Sequence, residues 1–118
     1  MGESGIGNVI YPATDVAAAV SFYGTALGLA TKFVDGDRFA ALDGGGVTLA
    51  ITGGAEDVTG GRVAASFRVP DVAAAVRAAE AAGATVLAEP AEGPHEVRAV
   101  LADPWGNPVV LYARRVSG

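Results

Sequence analysis

The sequence predicts an α+β fold built from two βαβββ modules. Three observations carry this. The hexapeptide DVAAAV occurs twice, as Asp15–Val20 and Asp71–Val76. One strand-like run precedes each copy and three follow it. Each half also ends on the same kind of turn, an aspartate with a glycine three residues on, in DGGGVTLAI at Asp43 and DPWGNPVVL at Asp103. The hexapeptides begin 56 residues apart and the turn aspartates 60 apart, so the second module is slightly longer, and EPAEGPHE is the segment expected to hold the excess.

NVIYPA reads as the first strand. Asp15 then offers a carboxylate N-cap, because an aspartate ahead of a helix accepts hydrogen bonds from its unpaired first N–H groups. Val16, Ala19, Val20, Tyr23 and Leu27 follow on one apolar face, and Gly28 stands where a left-handed terminal residue is wanted. ATKFV, DRFAAL and VTLAIT are the next strands, and TGGAEDVTGG is a polar, glycine-rich connection. The second module repeats the plan: VAASFRVP, a helix capped by Asp71 with Val72, Ala75, Val76 and Ala79 on its stripe and Gly83 closing it, then ATVLAE, VRAVLA and PVVLYA. The organisation that follows is a single domain over 1–118, with modules 6–52 and 62–115 joined by a linker over 53–61.

Composition narrows the class. With 51% apolar and 18% charged residues the chain is globular rather than disordered. It has no cysteine, which removes disulfides, thiolate zinc sites, iron–sulfur clusters and thiol nucleophiles. A net charge of −5 without a basic stripe argues against nucleic acid as a partner. No apolar run approaches the ~18 residues of a membrane helix, and MGESGIGNVIYP lacks the basic and apolar regions of a secretion signal. The expectation is a cytoplasmic protein with no membrane partner.

Strand alternation separates two faces. Val47, Leu49 and Ile51 oppose Thr48, Ala50 and Thr52; Val63, Ala65 and Phe67 oppose Ala64, Ser66 and Arg68; Val109 and Leu111 oppose Val110 and Tyr112. The bulky apolar set belongs under the helices. The smaller, mixed set, with Asn8 and Ile10, forms the opposite face.

YPATDVAAAVSFYGTALGL and DPWGNPVVLY, in register with an internal repeat, resemble the vicinal oxygen chelate superfamily, which includes glyoxalase I, extradiol dioxygenases and the fosfomycin and bleomycin resistance proteins. The resemblance implies that the two modules form a curved, cup-like, eight-stranded mixed sheet whose floor is the smaller, mixed face. It also implies metal positions seven residues before each capping aspartate and four after each turn glycine. Here those are Asn8, Ala64, Ala50 and Val110. Divalent cations need imidazole or carboxylate at most such positions, so no metal and no cofactor are expected. The implied function is a metal-independent small-molecule binding protein of the drug-sequestering, bleomycin-resistance type, taking a cationic or aromatic ligand and working as a homodimer. The alternative is a metal-free isomerase, cyclase or lyase of the same superfamily.

The ligand-binding set read from the sequence is Asn8, Phe39, Thr48, Ala50, Ala64, Ser66, Arg68, Arg98, Val110 and Tyr112. Arg38 and Arg98 stand five residues before their turn aspartates and form either an anion clamp or two surface ion pairs. Arg68 on the floor calls for a partner such as Asp71 or Glu96, because an unpaired buried charge is costly. Phe39 and Tyr112 either stack on a ligand or pack in the core. Tyr23 is assigned to the core, and Trp105 to an exposed turn or a dimer contact. His95, the single histidine, and Glu96 are the candidates for acid–base work, and Glu92, His95 and Glu96 are weighed as a metal cluster against a solvated acidic loop.

Overall fold

The computed structural model describes residues 4–115. Its elements are β1 (Gly5–Pro12), α1 (Val16–Leu27), β2 (Thr31–Asp35), β3 (Phe39–Asp43), β4 (Thr48–Thr52), β5 (Ala64–Arg68), α2 (Val72–Ala81), β6 (Thr85–Glu92), β7 (Glu96–Ala102) and β8 (Pro108–Arg114). The class is α+β, and the strands follow the order β2-β3-β4-β1-β5-β8-β7-β6 in an eight-stranded mixed sheet. Two compact units share the chain: Asn8–Val63, and Ala64 onward together with the residues up to Gly7. Among the described residues no helix is long and apolar enough to cross a membrane.

In the unit Asn8–Val63, β1 runs parallel to β4, and β2, β3 and β4 are antiparallel neighbours. The Asp15 carboxylate accepts from the Ala18 N–H at 2.9 Å, and Gly28 takes the left-handed conformation (φ 72°) that ends α1. The face of α1 carrying Val16, Ala19, Val20 and Tyr23 packs on Ala40, Leu42, Leu49 and Ile51, as the stripe predicts. Leu27, expected on that stripe, is exposed. The chain reverses at Gly28, and Leu29 enters the core instead.

In the second unit β5 is parallel to β8, and β8, β7 and β6 are antiparallel neighbours. Asp71 caps α2 by accepting from the Ala74 N–H at 3.0 Å. Val72 and Val76 are buried with Val69, Ala99, Leu101 and Leu111. The helix cap is Ala82, with Gly83 (φ 109°) immediately after it. Three expectations shift. Strand β1 starts at Gly5 rather than Asn8. Strand β5 starts at Ala64, leaving Val63 exposed. EPAEGPHE is largely strand: β6 continues to Glu92 with register irregularities, one of them between Ala88 and Ala91. That interval contains Pro90, which an edge strand tolerates because its missing N–H is not needed by a neighbour.

Both repeat-ending turns are built on their aspartates. Asp43 accepts from the Gly45 N–H at 2.9 Å. Asp103 accepts from the N–H groups of Trp105 (2.9 Å) and Asn107 (2.8 Å) and from Asn107 Nδ2 (3.0 Å). The Asn107 side chain, with the backbone N–H groups, holds the Asp103 carboxyl below its ordinary pKa. A depressed native pKa contributes stability that is present above the unfolded value, about 3.9, and is lost as pH falls through the native one. Wild-type protein is therefore expected to lose melting temperature more steeply than Asp103→Asn below about pH 4; parallel pH profiles would refute this.

Candidate functional site

With a helix on one face of each unit, alternation leaves the intervening residues on the other. In the unit Asn8–Val63, Asn8 lies beside Thr48, Ile10 beside Ala50, and Thr52 between Pro12 and Phe39. Ile10, Ala50 and Thr52 are buried; Asn8, Phe39 and Thr48 are half-buried. Lys32 Nζ donates to Thr48 Oγ1 at 2.8 Å. Phe39 sits 6.4 Å from Phe33 in a tilted pair, away from the α1 core.

Among the described residues, Thr52 Oγ1 is buried without a hydrogen-bond partner. Valine has the same shape and no hydroxyl to desolvate, so Thr52→Val is expected to raise unfolding free energy by about 1 kcal/mol in urea titration. A loss of stability would show that the hydroxyl is bonded in solution.

On the corresponding face of the second unit, register aligns two rows. Ser66, Val110 and Val100 form one, and Arg68, Tyr112 and Arg98 the next, with Tyr112 directly opposite both arginines. Ala64, Ser66, Val100 and Val110 are buried, Tyr112 is half-buried, and Arg68 and Arg98 are exposed. A ligand arriving from solvent therefore meets the Arg–Tyr–Arg row, while the small residues form a closed layer alongside.

Two glycines shape this row. A Cβ built on Gly7 would overlap the Tyr112 hydroxyl and come within 2.8 Å of its Cζ. Gly7 is on β1 and Tyr112 on β8, with β5 between them in the strand order, so the ring reaches across β5. A Cβ on Gly5 would stand 3.6 Å from Arg68 Nη2, so the guanidinium lies over that residue. Neither glycine was singled out from the sequence; the alternation Gly5-Ile6-Gly7 ahead of NVIYPA is the signal that marks a bare strip of strand.

The expected pairing of Arg68 with Asp71 or Glu96 is not formed. Asp71 is engaged at the start of α2, and Glu96 Oε2 lies 3.5 Å from Arg98 Nη1. Among the described residues Arg68 has no ion-pair partner. Arg38 and Arg98 are not structural equivalents. Arg38 ends the turn before β3 and pairs with Glu56 at 3.0 Å, whose hydrogen bond and charge raise its pKa, whereas Arg98 lies within β7. Both make surface ion pairs, the ordinary reading.

Glu92, His95 and Glu96 do not assemble into a metal cluster. Glu92 stands opposite Val97, on the α2 side of the β6–β7 hairpin, and alternation puts Glu96 on the other side. Glu92 pairs instead with Arg115 at 3.4 Å, and His95 is exposed in the hairpin turn. Among the described residues no group of three or more His, Asp or Glu is placed to hold a metal ion. Trp105 is exposed in its turn, and Tyr23 packs in the α1 core.

A cavity of about 220 Å³ opens elsewhere, between α2 and the sheet, lined chiefly by Ala75, Ala79, Ala82, Leu101 and Val109. Its polar residue Asp103 is committed to the turn. It is a seam left by an alanine-rich helix.

The model of the glyoxalase-like domain matches residues 8–112. The chain belongs to the glyoxalase-like domain family. A protein of Mycolicibacterium smegmatis, itself uncharacterized, is 37% identical over 113 residues, covering 96% of this chain and 97% of its own. Solved structures share the fold at low identity. A methylmalonyl-CoA epimerase of Streptomyces coelicolor superposes with a TM-score of 0.70 at 20% identity, over 94% of this chain and 97% of its own. A glyoxalase/bleomycin resistance protein/dioxygenase superfamily member of Vibrio splendidus gives 0.70 at 18%, over 90% and 96%. An NAD-dependent benzaldehyde dehydrogenase of Legionella pneumophila gives 0.76 at 17%, over 91% and 97%. In this glyoxalase-like domain the positions that the superfamily resemblance assigns to metal ligands are Asn8, Ala50, Ala64 and Val110. That donor set does not fit a divalent cation: one neutral amide oxygen is its whole contribution.

Proposed function

We propose that this glyoxalase-like domain is a cytoplasmic, metal-independent small-molecule binding protein that sequesters its ligand, as drug-binding proteins of the bleomycin-resistance type do. The observation that carries the reading is the accessible Arg68–Tyr112–Arg98 row beside a layer of small, non-ligating residues. Binding sites of this kind set a few fixed polar groups beside apolar surface. The homodimer implied by the family resemblance is part of the proposal, and light scattering in solution tests it.

A second reading, a metal-free isomerase, cyclase or lyase, draws on the Tyr112 hydroxyl, which makes no hydrogen bond among the described residues and is flanked in register by two arginines. A phenol so placed is a candidate proton donor. One experiment separates the readings. Protein purified without chelator is assayed for metal, then screened by thermal shift against aromatic metabolites and drugs with EDTA present. A ligand that binds only the folded state raises the melting temperature. Ligand recovered unchanged supports sequestration, and ligand converted supports the enzyme. Stoichiometric metal, with stabilisation abolished by EDTA, overturns both.

A further inference from the structure

The geometry points to an anion seat formed by the Arg68 guanidinium and the Tyr112 hydroxyl over the Gly5–Gly7 strip of β1, taking the carboxylate or phosphate of a small aromatic acid. The inference rests on the binding function proposed above and assigns the charge of the ligand.

Arg68 Nη2 lies over Gly5 and the Tyr112 hydroxyl over Gly7. Residues two apart on a strand are roughly 7 Å apart on the same face. A single carboxylate or phosphate group spans such a gap by accepting a hydrogen bond of about 2.9 Å at each end. Both donors are uncommitted among the described residues, and the bare glycine strip leaves no side chain between them. Arg98, opposite Tyr112 in register, flanks the seat from β7 and is only loosely held by Glu96, at 3.5 Å. A guanidinium is planar and stacks on aromatic rings, which suits it to the body of an aromatic acid whose charged end is on Arg68.

Charge on this face agrees. On β5, β7 and β8 its ionisable side chains are Arg68, Arg98 and Arg114 against Glu96 alone, with Tyr112 among them. The net charge of −5 acts at long range and is screened by salt, whereas the groups that touch a ligand decide its sign.

The test is isothermal titration of the full chain with four probes: 2-naphthoate, 2-naphthyl phosphate, the neutral 2-naphthamide, and the cation of 2-(aminomethyl)naphthalene. One or both anions are expected to bind at least about tenfold tighter than the amide, and Arg68→Gln to remove that preference, since a hydrogen bond to a charged group carries such a factor. The comparison of naphthoate with naphthyl phosphate reports which anion the seat takes. Tyr112→Phe is expected to weaken anion binding about fivefold, and Arg77→Gln, on α2, to leave it unchanged. Unchanged melting temperatures in the Arg68 and Tyr112 variants confirm that they fold. Affinity for both anions no greater than for naphthamide, or preference for the cation, overturns the seat and leaves the binding function standing. Failure of all four probes also overturns the seat, and the function then depends on the wider screen.

Discussion

Leu42→Ala is expected to lower the unfolding free energy by about 3 kcal/mol, because it removes buried methyl groups and leaves a cavity that its neighbours fill only partly. Leu42 is wholly inaccessible on β3, under α1, with Val16, Ala40 and Ile51 around it. Those neighbours are small or β-branched. Branched side chains are stiff at χ1 and adjust poorly to a new void. In a domain of this length the loss corresponds to a melting temperature lower by about 10 °C or more. Leu27→Ala, the same chemical change at an exposed site on the same unit, is expected to shift stability by less than about 0.5 kcal/mol. Urea and thermal unfolding of the two variants side by side measure the contrast. Similar losses would mean that the α1 face is not the core of this unit.

Gly7→Ala is expected to cost about 2 kcal/mol despite adding a single methyl, because overpacking forces a side chain out of its place. The displaced side chain is Tyr112, whose hydroxyl occupies the position a Cβ would take. Backbone conformation is not the obstacle, since Gly7 is absent from the positive-φ glycines. A double-mutant cycle isolates the contact: Tyr112→Ala in the Gly7→Ala background is expected to relieve the clash, giving a coupling energy of at least about 1 kcal/mol. Additive effects would show that the ring does not rest on β1. Gly7→Ala should also weaken binding of the anionic probes, because the hydroxyl leaves the seat with the ring.

The repeat, the two helices, their aspartate caps and the strand parity were legible in the sequence because each depends on residues a few positions apart. Asp15 meets the N–H of Ala18, and Asp103 meets those of Trp105 and Asn107, within single turns of chain. Alternation then separates Leu49 and Ile51 from Thr48 and Ala50 whatever the strands pair with. The family resemblance rests on the same local motifs, and the absence of a metal donor set at Asn8, Ala50, Ala64 and Val110 needs no coordinates to state. Arg68, Arg98 and Tyr112 were each legible as candidates.

Their arrangement was not. Whether Tyr112 stands opposite Arg68 and Arg98 is a matter of register between β5, β8 and β7, which pair across intervals that no local pattern encodes. Glu92 and Glu96 are close in sequence, yet the hairpin register sends them to opposite faces, so the cluster with His95 that was weighed against a solvated loop does not form. Glu96 joined Arg98 rather than Arg68 because Arg98 is two residues along on the same strand, whereas β8 lies between β7 and Arg68 on β5. The roles of Gly5 and Gly7 were hidden most completely, because a missing side chain has meaning only once a distant one is known to fill the space. Sequence thus determined which faces exist and what chemistry they carry, through contacts local enough to follow from spacing. Tertiary structure alone decided which of those groups meet, because strand pairing brings together residues that the chain holds far apart.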